Sequence, residues 1–187
     1  MNFGGILWWV WGRFLFRKAL RFTSRGNYRK ALLICEGLMR WFPHAPRVHV
    51  QLGFLYNEFN LPEISIFHSK KAICFLKKEW FEPWMNLGIG FIHAKFPIGA
   101  IGAFDKAEQL KDQVGMVQYG KLLLFRAEAR RDIMRLYGLN DECMSKALDD
   151  LTRGEHIFRE CDSENETAKF WFKQVPERRH ELETMVR

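Results

Sequence analysis

Leu52-Gly53-Phe54-Leu55-Tyr56 is answered 35 residues later by Leu87-Gly88-Ile89-Gly90-Phe91, and Ala72 by Ala107. A period near 34 marks stacked helical hairpins, because each hairpin can bury its apolar face only against a neighbour. Working outward from these two stretches, three copies fit along the chain.

In the first copy, Ala19 and Phe22 close one helix, Gly26-Asn27-Tyr28 forms the turn, Ala31 opens the packed face of a second helix, and Pro43 ends the unit. The second places Leu52, Gly53 and Tyr56 on its first helix, with Ser65 and Ala72 at the small positions of its second. In the third, Trp84, Leu87, Gly88, Phe91, Ala100, Phe104 and Ala107 all fall in register. This pattern of large, small and aromatic positions resembles the tetratricopeptide repeat (TPR). Asn60 and Lys95 depart from it where the turn usually has Gly, as do Pro62 and Pro97 where an aromatic usually follows. Both prolines are expected in the first turn of a second helix, where the missing amide hydrogen has no intrahelical partner.

The resemblance implies an all-α fold, a right-handed superhelix of antiparallel helix hairpins with C-terminal capping helices. Residues 12–112 form the solenoid, in repeats of about 12–45, 46–80 and 81–112. Residues 1–11 form an aromatic anchor or docking segment, and 113–187 a degenerate hairpin with capping helices. Within that last part the sequence predicts helices over about Met116 to Tyr137 and Asp141 to Glu160. Tyr119, Leu122, Leu123, Arg126, Ile133 and Tyr137 trace a helical stripe with a wet opposite face, and Gly138 is the stop. Ser163 followed by Glu166 reads as a capping box for a final helix. Its Phe170, Trp171 and Phe172 pack back on the solenoid before Pro176 interrupts it. The 187 residues, 48% hydrophobic with only 6 prolines, suit one soluble helical domain.

Charge is uneven along the chain, which the net +7 conceals. Residues 1–47 carry nine basic side chains against Glu36 alone; the net charge is +8 there, +3 over 48–140 and −4 over 141–187. Arg13, Arg17 and Arg21 recur every four residues and line one side of a helix, and Arg25 and Arg29 extend the positive region. Such a stripe suits anionic lipid, nucleic acid or an acidic protein surface; the plain alternative is a solvated helix face.

Just ahead lies Ile6-Leu7-Trp8-Trp9-Val10-Trp11, with three of the chain's seven tryptophans. The apolar run precedes its cations, the reverse of a secretory signal, so the protein is expected not to be secreted. About 11 residues of helix rise roughly 16 Å, too short for a hydrocarbon core of about 30 Å. Ile6, Leu7, Trp8, Trp9 and Trp11 therefore read as a monotopic anchor at an interface, followed by cations that meet an anionic leaflet. The same aromatics also suit a pocket in a partner subunit, or packing back against the first repeat. The expected location is peripheral, on the cytoplasmic or organelle-internal face of a membrane.

TPR solenoids hold a partner segment in a groove formed by the first helices of their hairpins. Carrying those positions over places Arg13, Phe16, Arg17 and Leu20 in the groove from the first repeat. The second contributes Arg47, Val50, Gln51, Phe54 and Asn57, and the third Glu82, Met85, Asn86, Ile89 and His93. The implied partner is a protein with an acidic and apolar segment, in a hetero-complex. The set of Lys and Asn with which some TPR proteins grip a chaperone's terminal carboxylate is not reproduced.

Catalysis has no motif to rest on: HExxH, GxSxG, GKS/T and GxGxxG are all absent. Cys35, Cys74, Cys143 and Cys161 have no CxxC spacing, and Cys35 falls on a repeat core position. His156 and Cys161 are poorly spaced for a metal on one helix face, and the adjacent Asp149 and Asp150 read as a solvated surface. No enzyme activity, metal or cofactor is expected. The function predicted is a non-catalytic protein-protein interaction scaffold or assembly factor, peripherally attached to a membrane or part of a membrane-associated complex. The alternative is a nucleic-acid-binding helical-repeat protein that uses the Arg stripe, although no code of base-reading side chains recurs between repeats.

Overall fold

A computed structural model of the chain describes residues 8–161 and 165–185, with side chains from Val10 onward. Ile6, Leu7 and Ser163 lie outside the described residues, as do the side chains of Trp8 and Trp9. The described residues form nine α-helices and no strand. They divide into two compact units, Met1–His93 and Ala94–Arg187, the division falling within the residues expected as the third repeat.

In the first unit a single π-helical turn, Trp8–Gly12, leads into α1 (Arg13–Ser24). It is followed by α2 (Tyr28–Trp41), α3 (Pro46–Glu58), α4 (Pro62–Phe75) and α5 (Phe81–His93). Each helix packs on the next, and α3 also packs on α5. Local chemistry sets the boundaries. The Asn27 side chain accepts from the Lys30 amide to cap α2, and Pro46 and Pro62 occupy the first turns of α3 and α4, where no amide donor is needed. Gly26 turns the chain with φ 71°, and Asn60 does so 34 residues later with φ 53°. The left-handed turn is thus kept where the sequence lacks glycine, because the short Asn side chain tolerates it.

Small residues set the helix spacing. Ala19, Ala31 and Cys35 are fully buried with Leu38, Val48, Leu52, Leu55 and Tyr56. Burial, and then the Glu36 charge, pushes the Cys35 thiol up to about 12, so it is a packed thiol and not a nucleophile. Between α3 and α4, a Cβ on Gly53 would lie 2.6 Å from Ser69 Oγ. Ser65, the expected small position, donates to the Gly53 carbonyl at 2.8 Å.

The second unit contains α6 (Pro97–Glu108), a 3-10 turn (Lys111–Gln113), α7 (Met116–Tyr137), α8 (Asp141–Cys161) and α9 (Glu166–Thr184). The α6 helix packs on α7, α7 on α8, and α9 on both α7 and α8. Lys95 adopts φ 57° ahead of Pro97, and Gly138 ends α7 at φ 98° as expected. At the α7–α8 contact a Cβ on Gly120 would meet the Phe158 ring at 2.8 Å, and one on Gly154 would meet Leu124 Cδ1 at 2.7 Å. Each helix supplies a gap that a large side chain of the other fills.

Five expectations for this unit are corrected. The α9 cap is Asn165, whose side chain accepts from the Thr167 and Ala168 amides. The helix then continues through Pro176, because Val175 and Leu182 on either side are both buried. Their packing offsets the roughly 3 kcal/mol that an interior proline costs. Trp171 and Phe172 pack against the core but Phe170 is exposed, as is Tyr137 at the end of the α7 stripe. Asp149 and Asp150 do not share a solvated surface: Asp150 is 1% exposed. It accepts from Arg126 Nε at 3.0 Å and Nη2 at 2.8 Å, and from Arg130. Adjacent positions on a helix point about 100° apart, so one carboxylate reaches into the core while the other stays wet.

Candidate partner-binding face

All fourteen expected groove positions lie in the first unit, on or immediately beside α1, α3 and α5. Amide side chains tie these three helices together. Thr23 Oγ1 donates to the Ala19 carbonyl at 3.2 Å and accepts from Gln51 Nε2 at 2.7 Å, joining α3 to α1. Asn86 Nδ2 donates to the Val50 carbonyl at 3.0 Å, and Asn57 Nδ2 donates to the Asn86 carbonyl at 2.9 Å, joining α5 to α3. Hydrogen bonds of this kind, partly or wholly shielded from water, fix the separation of the helices.

The fourteen positions therefore separate by role. Gln51, Asn57, Met85 and Asn86 are buried, the three amides being committed to the frame just described, so these four underlie the face without forming its surface. Phe16, Val50, Phe54 and Ile89 are half-buried, and Leu20 is exposed; together they supply an apolar floor. Tyr28 holds Phe54 in place edge to face, with ring centroids 5.9 Å apart. Arg13, Arg17, Arg47 and Glu82 are exposed and His93 is half-buried. Arg47 stacks its guanidinium over the Trp80 ring at 5.3 Å, which holds the side chain out from the helix without consuming its charge. Three arginines against one glutamate make the face basic.

Behind it lies a histidine pair that the sequence did not reveal. His49 Nε2 bonds the Pro43 carbonyl at 3.0 Å, which leaves Nδ1 to accept from His68 Nδ1–H at 2.8 Å. The His68 ring stacks on Tyr56, whose hydroxyl donates to Glu36 at 2.6 Å. Burial, then the neighbouring His49, pulls His68 down to about 4. His49 is also lowered, chiefly by burial and against the pull of the Pro43 hydrogen bond. Both rings are thus neutral at physiological pH. Among the described residues no group of three or more His, Cys, Asp or Glu side chains is placed to hold a metal.

Of the expected docking residues, Trp11 is described, and it is exposed. Among the described residues no helix is long and apolar enough to cross a membrane.

No protein-family model matches the chain, and no curated protein sequence does so either. Solved structures do. TTC0263, a thermophilic TPR protein of Thermus thermophilus, superimposes with a TM-score of 0.56 at 13% identity over 87% of this chain and 97% of its own. The protein has the tetratricopeptide-repeat fold. YrrB, described as a TPR protein with an unusual peptide-binding site, matches with a TM-score of 0.56 at 14% identity, covering 88% of this chain and 84% of that one. A chain of the APC/C hetero-tetramer Cut9-Hcn1 gives 0.65 at 17% identity over 86% of this chain, which spans only 29% of that longer protein. At these identities the likeness is one of fold.

Proposed function

We propose that the protein is a non-catalytic interaction scaffold or assembly factor. Its α1/α3/α5 face holds an acidic and partly apolar segment of a protein partner, and its aromatic N-terminal segment attaches it peripherally to a membrane or membrane-associated complex. The observation that carries this reading is the face itself: an apolar floor of Phe16, Leu20, Val50, Phe54 and Ile89 between Arg13, Arg17 and Arg47, on helices locked together by buried amides. A rigid frame lowers the ordering cost of holding an extended chain, and the arginines set its polarity and speed its capture. The peptide-binding site of YrrB, on the same fold, is consistent with it.

The test is affinity purification under mild detergent with mass spectrometry. Wild type is compared with L20D/R47E, which inverts the face at two exposed positions, and with a chain lacking residues 1–12. The face variant is expected to lose the partner set while keeping its membrane fractionation, and the deletion to lose the membrane. Partners unchanged by L20D/R47E refute the assigned face.

A further inference from the structure

The N-terminal hairpin leaves an apolar surface uncovered. Leu33, Gly37 and Trp41 recur every four residues along one side of α2, and beside them stand Trp11, in the π-helical turn ahead of α1, and Leu15 in the first turn of α1. They line a groove of about 570 Å³ without a charged side chain in its wall. Trp41 is 79% exposed, Leu33 69% and Trp11 63%. A contiguous patch of large apolar side chains on a folded surface marks a contact yet to be made.

The adjoining sector of α1 is cationic. Phe14, Arg17, Lys18, Arg21, Phe22 and Arg25 line a cleft of about 390 Å³. At about 100° per residue, Lys18 and Phe22 share a sector of roughly 60° with Leu15, so the cleft adjoins the groove along α1. Among the described residues no carboxylate comes within ion-pairing distance of Arg17, Lys18, Arg21 or Arg25. In the second unit the buried Arg126 has Asp105, Glu108 and Asp150 around it. The α1 cations therefore serve no internal pairing.

Charge selects the occupant. A second copy of the chain would bring two regions of net charge +8 face to face. A nucleic acid or a soluble phosphate would answer the cations but leave Leu33 and Trp41 in water. A bilayer whose leaflet contains anionic phospholipid offers both within one interface, where indole rings also settle best.

We propose that the α1–α2 end seats the protein on such a leaflet. The lipid phosphate lies at Lys18, Arg21 and Arg25, and Trp11, Leu33 and Trp41 enter the boundary between headgroups and acyl chains. This rests on the membrane-attached reading above and deepens it: it names the lipid class and extends the contact from residues 1–11 onto folded helices.

The experiment is sedimentation of the full chain with vesicles of phosphatidylcholine, with and without phosphatidylserine, at increasing salt. Wild type is expected to bind the phosphatidylserine vesicles, more weakly as salt rises, and to bind phosphatidylcholine alone poorly. Each cation near the surface is worth about 1 kcal/mol, roughly fivefold. K18Q/R21Q/R25Q should therefore bind on the order of 100-fold more weakly and with a flatter salt dependence. L33S/W41S alters two exposed side chains, so its helical dichroism should be unchanged while binding falls by about tenfold or more. If both variants bind as wild type does and only W8S/W9S is released, the membrane reading stands and the α1–α2 site falls. If wild type sediments with no vesicle, both fall. Equal binding to phosphatidylcholine alone overturns the headgroup site.

Discussion

Replacing Asp150 by Ala removes the acceptor at the centre of the second unit. The carboxylate is 1% exposed and takes two hydrogen bonds from the Arg126 guanidinium, at 3.0 and 2.8 Å, and another from Arg130. Arg126 is itself 4% exposed, so the mutation leaves a buried cation short of its main counter-charge. Breaking a buried pair from one side costs about 3–5 kcal/mol. Arg126 keeps Glu108 and, at 3.1 Å, Asp105, which places the expected loss near the lower end, about 3 kcal/mol. Urea unfolding followed by far-ultraviolet dichroism measures it, and the melting temperature should fall by roughly 6–12 °C. Two companions isolate the cause. D105A removes a partner whose side chain is 53% exposed and should cost under about 1 kcal/mol. R126M/D150L removes both buried charges and should recover at least half of the D150A loss, since an apolar pair has no desolvation cost to repay. A loss below about 1 kcal/mol for D150A would refute the reasoning.

Four further outcomes follow from the structure. Gly53→Val should destabilise the first unit by at least about 2 kcal/mol in the same assay, because its Cβ alone would lie 2.6 Å from Ser69 Oγ and the added methyls force α3 from α4. Lys95→Gly should stabilise by up to about 1 kcal/mol by relieving φ 57°, with a smaller gain for Asn60→Gly because Asn tolerates that conformation. The unfolded chain protonates His68 near 6.5 but the folded chain only near 4, so stability should drop as pH falls between those values and change little above 7. His68→Gln should flatten that slope in melts across the range. Loss of the Glu108 contribution is separate and comes lower. Burial alone would raise that carboxyl, but the Arg126 hydrogen bond holds it at about 2, so its stabilisation goes as pH falls from about 4.5 to about 2.

Much of the fold was legible because a helical repeat writes its constraints locally. The positions of Ala19, Ala31, Ser65 and Ala72 told where helices must approach, and all four are fully buried. The groove register was legible only as a set of positions. Gln51, Asn57 and Asn86 are polar in sequence and so read as surface, yet their amides turn inward to backbone and hydroxyl partners on neighbouring helices. The i, i+4, i+8 spacing of Leu33, Gly37 and Trp41 was available as a signal for the uncovered α2 face, but a lone helix does not say which of its apolar stripes meets a partner.

The sequence by itself determined the all-α class, the hairpin period, the prolines that open α4 and α6, and the charge polarity of the chain. Each of these depends on residues within a turn or two of one another, or on counting. Tertiary structure alone decided which polar groups are desolvated. Asp150 and Arg126 sit 24 positions apart, as do many pairs that never meet, and only packing removes the water between them. The same holds for His49 and His68, whose neutrality comes from burial between α3 and α4. Burial is a property of the assembled helices, and it sets both the energy and the charge of the groups it encloses.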